Sequence, residues 1–294
     1  MLSILIPTYN YNAYPLAEEL AKQALTLNIP FELICMDDGS LSSINKENER
    51  INNLDNCKFI EGEKNLGTLA CRKSLATQAK YSWLLFLDSD VIPKKNNFLD
   101  EYLKNVYQNP DVIFGGIAYV ESNTDSSKTL RWTYGINREQ KSIEERNKRP
   151  YASFISGCFL IKKELLLNIT ENMLLKGYGL DILFSYQLKK SNAKILHINN
   201  PAIHLGLDTN EAYLKKSKQA VDILYYLTKN NLIPTNYTSL LSHYNTLKKL
   251  GIKSLFGRFI ITFNKPIETN LTGKKPNLFL FDLYRLGYLC RLRN

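Results

Sequence analysis

The 294-residue sequence has no uninterrupted apolar run as long as the roughly 18 residues that a membrane-spanning helix needs. It also has only five cysteines and three histidines, and no C-x-x-C pair, which argues against a zinc ribbon or a redox dithiol. We interpret the cysteines as small buried residues in a reducing cytoplasm. Residues 1–10 lack a basic segment and run into a Pro-Thr turn, so they predict a strand and not a signal peptide.

Acidic residues are scarce near the C-terminus. Residues 245–294 contain ten basic residues, the last of them Arg293, and two acidic ones, within a chain of net charge +10. No nucleic-acid-binding motif accompanies this charge, so we expect no nucleic-acid partner. Two interpretations of the tail stay open. It is either a solvated face on packed helices or a contact with an anionic membrane surface, for which residues 278–292, with Arg285 and Arg291, are the candidate helix.

Short apolar strands alternate with helical patterns in the first half of the chain. Predicted strands cover residues 2–6, 31–36, 57–60, 83–87 and 112–115, with helices at 13–28, 41–54, 67–80 and 96–108. This order predicts a mostly parallel sheet covered by helices, and ligands of such sheets bind at the carboxyl ends of the strands.

The second half of the chain predicts a less regular order of loops, strands and helices. Residues 120–150 lack periodicity and predict a loop with one short helix. Ordered structure resumes at 154–162, strands are expected at 194–198 and 202–205, and a helix is expected at 181–190. Asp208 and Glu211 have the spacing of a capping box that opens a helix to about residue 228. We therefore expect a catalytic domain at 1–228 and a basic helical extension at 229–294.

Acidic residues follow two of the predicted strands. Asp88 and Asp90 flank Ser89 after the strand at 83–87. One carboxylate of such a pair can bind a ribose while the other binds a divalent cation that carries a diphosphate, because hard oxygen ligands suit Mg²⁺ or Mn²⁺. The other acidic turn is Asp37-Asp38, after the strand at 31–36. Taken alone, either turn could equally be a solvated turn that caps the next helix.

Four segments taken together resemble family 2 glycosyltransferases. They are SILIPTYN, FELICMDDGS, EKNLGTLACRKSLA and YSWLLFLDSDVIP, in the order and spacing of that family's first strand, DDGS turn, N-x-G-x-x-x-x-R segment and D-x-D. The resemblance spans about residues 2–225. It implies an α/β fold of the GT-A type, Rossmann-like with a mostly parallel central sheet flanked by helices, here with a C-terminal helical extension.

The resemblance implies a nucleotide-diphosphate sugar donor, with UDP as the common case. Pro7, Thr8 and Tyr9 would line the pocket for the base, and Asp38 would hydrogen-bond the base. Asn65 belongs to the N-x-G-x-x-x-x-R segment and would also contact the donor.

The same resemblance implies a site for the phosphates and a metal, Mn²⁺ or Mg²⁺. Arg72 would lie near the nucleotide or phosphates, and Asp88 and Ser89 would contact the donor, Asp88 at the ribose. Asp90 would bind the metal, and His204 would be a further metal ligand, whereas His197 and His243 are interpreted as packed structural residues.

The segment from Gly177 to Asp181 resembles the family's G-Y-G-x-E-D motif, which supplies the catalytic base. Here it is one residue shorter and Leu180 replaces the glutamate, while Asp181 keeps the aspartate. Asp181 is therefore the predicted general base, and a helix N-cap is the alternative role for the same residue.

Together these features predict an inverting transfer of a sugar to a hydroxyl of a glycan or glycolipid, in the cytoplasm or at the inner face of the membrane. The alternative is a non-catalytic or weakly active sugar-nucleotide-binding module, because of the altered Gly-Tyr-Gly segment. A dehydrogenase would need G-x-G-x-x-G after the first strand, and a nucleotidyltransferase a Gly-rich, Arg-containing loop there; Pro7–Asn10 has neither.

Overall fold

The computed structural model describes residues 1–173 and 175–292, so Arg293 of the basic tail lies outside the described residues. The chain divides into two compact units. One, the sheet unit, comprises Met1–Val120, Glu139–Lys176 and Phe184–Gly206; the other, the helical unit, comprises Glu121–Arg138, Gly177–Leu183 and Leu207–Asn294. The domain boundary at residue 228 stays a prediction, because compactness alone does not say which residues the catalytic domain needs.

The sheet unit is built on a seven-stranded sheet and a smaller three-stranded one. In chain order the strands are β1 (Leu2–Thr8), β2 (Phe31–Asp37), β3 (Cys57–Glu61), β4 (Trp83–Leu87), β5 (Val91–Pro93), β6 (Val112–Phe114), β7 (Ile117–Ala118), β8 (Cys158–Lys162), β9 (Ile195–His197) and β10 (Ala202–His204). The large sheet has the order β3-β2-β1-β4-β8-β6-β9, and the small one β5-β10-β7. In the large sheet β8 alone runs antiparallel to its neighbours β4 and β6. The predicted mostly parallel sheet is confirmed.

Helices connect the strands and form most of the helical unit. In chain order they are α1 (Tyr14–Thr26), α2 (Asn45–Asn48), α3 (Thr68–Gln78), α4 (Phe98–Val106), α5 (Thr129–Tyr134), α6 (Ile143–Lys148), α7 (Lys163–Thr170), α8 (Asp181–Lys190), α9 (Asn210–Lys229), α10 (Ser239–Lys249), α11 (Lys253–Thr262), α12 (Asn264–Leu271) and α13 (Leu278–Arg291). The helix expected at 41–54 is the short α2 followed by a 3₁₀ turn at Glu49–Asn53.

The central strands β1 and β4 are mostly apolar, as expected where helices cover both faces of a sheet. In β1, Leu2, Ile4, Leu5 and Ile6 are all fully buried, and so is the run from Leu84 to Leu87 in β4. These continuous runs are why the sequence predicted the first four strands within two residues, whereas the short strands β5 and β7 were not predicted.

Two local expectations are wrong. The segment predicted as a loop with one short helix contains α5, a π-helical turn at Gly135–Glu139 and α6. Ser142 and Glu145 form a reciprocal capping box that starts α6, a polar signal that hydrophobic periodicity does not reveal.

The predicted cap of α9 is also displaced by one residue. Thr209, and not Asp208, caps the helix by accepting a hydrogen bond from the Ala212 amide at 3.3 Å. Asp208 instead pairs with Lys216 at 2.8 Å. Threonine is itself a good N-cap residue, so the pattern allowed both starts.

Helix α13, within residues 278–292, packs into the core of the helical unit. Phe281 of α13 is fully buried and stacks on Tyr213 with ring centroids 5.7 Å apart. Arg285 lies 4.7 Å from the centroid of the Phe281 ring and pairs with Asp282 at 2.7 Å. This helix thus contributes to the core through Phe281 and Tyr284, whereas its Phe279 is 66% exposed. No helix of the described residues is long and apolar enough to cross a membrane.

A buried arginine and a buried histidine form hydrogen bonds at the carboxyl ends of β6 and β9. Arg146 donates to the carbonyls of Phe114 at 3.0 Å and Ile198 at 2.9 Å, and lies 3.4 Å from Nδ1 of His197. His197 Nε2 lies 3.1 Å from the Pro150 carbonyl. Burial, with a smaller contribution from the charge of Arg146, lowers the pKa of His197 from 6.5 to about 4.

This histidine predicts a loss of stability in mild acid. Between pH 6.5 and about 4 the unfolded chain binds a proton at His197 that the folded chain excludes, so stability falls as the pH drops through this window. The full effect is about 3 kcal/mol. Urea unfolding at pH 7, 5.5 and 4.5 should show a smaller pH dependence for His197→Gln than for the wild type. The control His243→Gln changes an exposed histidine and should keep the wild-type slope.

Candidate functional site

The carboxyl ends of β1 and β2 are tied together at one edge of the sheet. The Asp38 amide donates to the Thr8 carbonyl at 2.8 Å. Pro7 and Thr8 are the last residues of β1, and Tyr9 follows them with 56% of its surface exposed. Gly39 has a φ of 68°, and a Cβ there would lie 2.2 Å from a backbone carbon of the next loop, so only glycine fits this turn.

Asp38 holds the loop that leads into α3. Its Oδ1 accepts from the Leu66 amide at 2.6 Å, and its Oδ2 accepts from the Gly67 amide at 2.8 Å. Asn65 precedes these amides, and its carbonyl accepts from Lys176 Nζ at 2.8 Å. The structure thus gives Asp38 a role that the sequence did not predict, which is to fix the start of α3.

Arg72 and Asp88, two residues predicted to face the donor, form an ion pair. Arg72 on α3 is 1% exposed, and its Nη2 donates to Asp88 Oδ1 at 2.6 Å and to the Ser156 carbonyl at 2.8 Å. The Arg72 Nε and Nη1 atoms are buried, and neither has a hydrogen-bond partner among the described residues. A buried guanidinium with unused donors is costly unless a further acceptor reaches it.

Strand pairing brings Asp90 and His204 together. The antiparallel register of β10 on β5 places His204 opposite Val91, the residue after Asp90. His204 Nε2 then lies 3.3 Å from Asp90 Oδ2, and the Leu205 amide donates to the Asp90 carbonyl at 2.8 Å. Ser89, between the two aspartates, is half-buried.

The Asp90–His204 pair fits a divalent cation in chemistry and spacing. A carboxylate oxygen and an imidazole nitrogen are ordinary Mn²⁺ ligands, and two adjacent ligands at about 2.1 Å from one ion lie about 3 Å apart. The described residues contain no cluster of three or more histidine, cysteine, aspartate or glutamate side chains arranged to hold a metal. A cation here would therefore take its remaining ligands from phosphate and water, as Mg²⁺ sites commonly do.

Three residues beside this pair were missed by the sequence reasoning. Tyr119 follows β7, which pairs in parallel with β10, and its ring centroid lies 5.7 Å from that of His204. The Tyr119 hydroxyl donates to the Glu139 carboxylate. A Cβ on Gly206 would lie 2.1 Å from Asp90 Oδ2, so this glycine makes room for the carboxylate. The position of Gly206 directly after the last strand was the one available signal.

Asp181 belongs to the helical unit. It is exposed and is the first residue of α8, a position that favours a carboxylate because of the helix dipole. Gly179, just before it, has a φ of 99°, and a Cβ there would lie 2.9 Å from Ala220. The Gly-Tyr-Gly turn is thus shaped by its packing on α9.

Comparisons with known proteins agree with this architecture. The model of glycosyl transferase family 2 matches residues 3–170, more than half of the chain. No curated protein matches the sequence. The structure of S. aureus TarS 1–349 in complex with UDP-GlcNAc aligns at 20% identity and a TM-score of 0.50, over 77% of this chain and 66% of that chain, which is just under two thirds.

Two further solved structures align with this chain. A second crystal structure of S. aureus TarS 1–349 aligns at 20% identity and a TM-score of 0.50, over 97% of this chain and 89% of that one. The mannosyltransferase PcManGT from Pyrobaculum calidifontis, in complex with GDP-Man and Mn²⁺, aligns at 15% identity and a TM-score of 0.49, over 75% and 61%. At such identities the similarity concerns the fold.

The tight contact at Gly206 predicts a selective defect. Gly206→Ala should push the Asp90 carboxylate away from His204 and weaken Mn²⁺ binding in the presence of UDP by roughly 10- to 100-fold. Calorimetric titration of Mn²⁺ measures this change. Gly157→Ala is the matched control, because its Cβ would make ordinary contacts, 3.4 Å from Ile117 and 3.6 Å from Asp88. Equal Mn²⁺ affinity of all three proteins would remove Asp90 from the metal site.

Proposed function

Because this chain belongs to glycosyl transferase family 2 and is a glycosyltransferase with the GT-A fold, we propose that it transfers a sugar from a UDP-sugar to a hydroxyl group with inversion. The acceptor we propose is a glycan or glycolipid, in polysaccharide biosynthesis at the inner face of the membrane. The observation that carries the proposal is the Asp90–His204 pair next to the Arg72–Asp88 pair, at the carboxyl end of β4.

The nucleoside would lie at the ends of β1 and β2. Tyr9 offers an exposed ring, and Pro7 and Thr8 would line the pocket beside it. Each oxygen of Asp38 already accepts one backbone hydrogen bond, and a carboxylate oxygen can accept a second, so a bond from the base is compatible with the structural role. UDP is the first nucleotide to test because the S. aureus structure of similar fold holds UDP-GlcNAc.

The ribose and phosphates would lie above Asp88, Ser89 and Asp90. The ion pair with Arg72 fixes the direction of the Asp88 carboxylate, which prepares it to accept hydrogen bonds from ribose hydroxyls. The unused donors of Arg72 supply positive charge behind this edge, where they favour an anionic ligand.

Asp90 and His204 would hold the divalent cation, Mn²⁺ or Mg²⁺. Such a cation neutralises the negative charge that develops on the diphosphate leaving group. The two side chains are partly buried, with 28% and 16% of their surface exposed. The surrounding residues therefore hold them in position, and a cation can still reach them from solvent.

Asp181 would be the general base. Its role is to take the proton from the acceptor hydroxyl as the oxygen attacks the anomeric carbon in line with the leaving diphosphate. A single displacement of this kind inverts the anomeric centre, so an α-linked donor gives a β-linked product.

The first prediction from this proposal concerns the metal. UDP should bind substantially more tightly with Mn²⁺ than with EDTA, because Asp90 and His204 alone do not neutralise a diphosphate. Calorimetric titration of UDP in both conditions measures the difference. The double variant Asp90→Asn/His204→Ala should lose the benefit of Mn²⁺, whereas His243→Ala, at an exposed site on α10, should keep it. Equal affinity of the wild type in EDTA and in Mn²⁺ would refute the metal-bridged donor.

The second prediction concerns the base. Asp181→Asn preserves the side-chain size, so UDP binding with Mn²⁺ should stay near the wild-type value. Sugar transfer should fall by roughly 10²- to 10⁴-fold, the usual contribution of a general base. Product formation from UDP-sugars is followed by chromatography, and Asp55→Asn, at an exposed carboxylate of the sheet unit, is the control for a generic loss of charge.

Two outcomes would contradict this assignment. Transfer at the wild-type rate by the Asn variant would mean that another group is the base. UDP binding without any transfer by the wild type, across the donors tested, would favour the weakly active binding module suggested by Leu180.

A further inference from the structure

One face of α11 is apolar and exposed to solvent. Leu255 and Phe259, one helical turn apart, are 69% and 58% exposed. Phe263 continues the same stripe just beyond the helix, with its ring centroid 4.9 Å from that of Phe259. The opposite face of the helix is occupied, because Ile260 packs where Gly287 of α13 leaves space.

The apolar surface extends beyond the stripe on both sides. It consists of six exposed large apolar residues, which we call the α11 face: Leu250, Ile252, Leu255, Phe259, Ile261 and Phe263. Single exposed apolar residues are common on soluble proteins, but six within fourteen consecutive positions mark an interaction surface.

The charged residues in the segment that carries the α11 face all have one sign. Residues 248–265 contain five basic residues and no acidic one. Lys253 lies against Tyr244, 3.3 Å from its hydroxyl, and the other four are exposed: Lys248, Lys249, Arg258 and Lys265. Within the part of the chain that the structure describes, none of these four cations has an ion-pair partner.

We propose that the α11 face binds the surface of an anionic phospholipid bilayer. Aromatic and aliphatic side chains on one face of a helix partition into the boundary between headgroups and acyl chains, while flanking lysines and arginines meet the acidic headgroups. Phe259 and Leu255 supply the apolar contact, and the four exposed cations supply the electrostatic attraction.

The charges also argue against two other occupants. A second copy of the chain, packed face to face, would bring the basic residues of both copies together with no acidic residue between them, which is repulsive. A nucleic acid would satisfy the cations but would leave the aliphatic stripe in water, since phosphate contacts dominate such binding. A bilayer satisfies both features at once.

The proposal places the membrane contact on α11, and not on residues 278–292 as the sequence suggested. That helix is packed into the core of the helical unit, while α11 presents the apolar and basic surface. The proposal does not depend on the donor, the metal or the base, so its test and the tests of glycosyl transfer are independent.

The experiment is cosedimentation of the full chain with vesicles of phosphatidylcholine, either pure or with roughly 30 mol% phosphatidylglycerol. The anionic lipid gives the vesicles a negative surface potential. We expect binding to the anionic vesicles at low salt, weak binding to the neutral ones, and release as salt is added. Lys248→Gln/Lys249→Gln/Arg258→Gln should weaken binding about fivefold for each cation removed. Leu255→Ser/Phe259→Ser should weaken it at least roughly tenfold.

Matched control variants distinguish binding through the α11 face from nonspecific binding through other exposed residues. Tyr107→Ser changes an aromatic residue that is 83% exposed in the sheet unit, and Lys46→Gln/Lys58→Gln removes two exposed lysines there; both should bind vesicles as the wild type does. A tryptophan at position 259, introduced as Phe259→Trp, should shift its emission to the blue on anionic vesicles, and Tyr107→Trp should not.

Three results would overturn the proposal. The first is that the wild type ignores anionic vesicles at low salt. The second is that Leu255→Ser/Phe259→Ser binds vesicles as tightly as the wild type, which would leave charge alone responsible. The third is a dimer in sedimentation equilibrium that the same apolar variant dissociates, because a second copy would then cover the face.

Discussion

The pairing of β10 with β5 is the interaction on which the candidate site depends. Asp90 and His204 are more than a hundred residues apart, and three antiparallel backbone pairs, from Ala202↔Pro93 to His204↔Val91, bring them within 3.3 Å. Since side chains alternate along a strand, a slip of one residue would turn the imidazole to the other face and remove the pair. Gly206 then allows the carboxylate to occupy the remaining space.

Buried cations are the second recurring feature of the sheet unit. The guanidinium of Arg146 is held by backbone carbonyls at the ends of β6 and β9. Arg72 is also buried, but it pairs with Asp88, and its Nε and Nη1 atoms have no hydrogen-bond partner among the described residues. The difference suggests different uses. Arg146 ties strand ends together, whereas Arg72 supports an edge where an anion is expected to bind.

The helical unit separates two roles that look alike in composition. α13 and α11 are both rich in apolar residues, and both carry arginine. In α13, Phe281 packs against Tyr134 and Tyr213, and Arg285 pairs with Asp282. In α11, Gly257 and Ile260 are buried against α13, and the other face combines exposed apolar side chains with Arg258, which has no ion-pair partner among the described residues. The sheet unit thus contains the Arg72–Asp88 and Asp90–His204 pairs, and the helical unit contains the surface that we propose to bind acidic lipids.

The sequence by itself determined most strands of the large sheet, the strand-end motifs and the family, because continuous apolar runs and the turn residues after them are local features. It also named Arg72, Asp88, Asp90 and His204 as candidates, but it did not predict the short strands β5 and β7 or the neighbouring residues Tyr119, Glu139 and Gly206. Only the tertiary structure decided which of these residues meet: Arg72 with Asp88, Asp90 with His204, and Asp38 with the loop before α3. It also decided which tail helix is buried, since composition does not specify which face of α11 or α13 finds a partner. Strand register and helix packing join residues distant in the chain, and no local pattern encodes those distances.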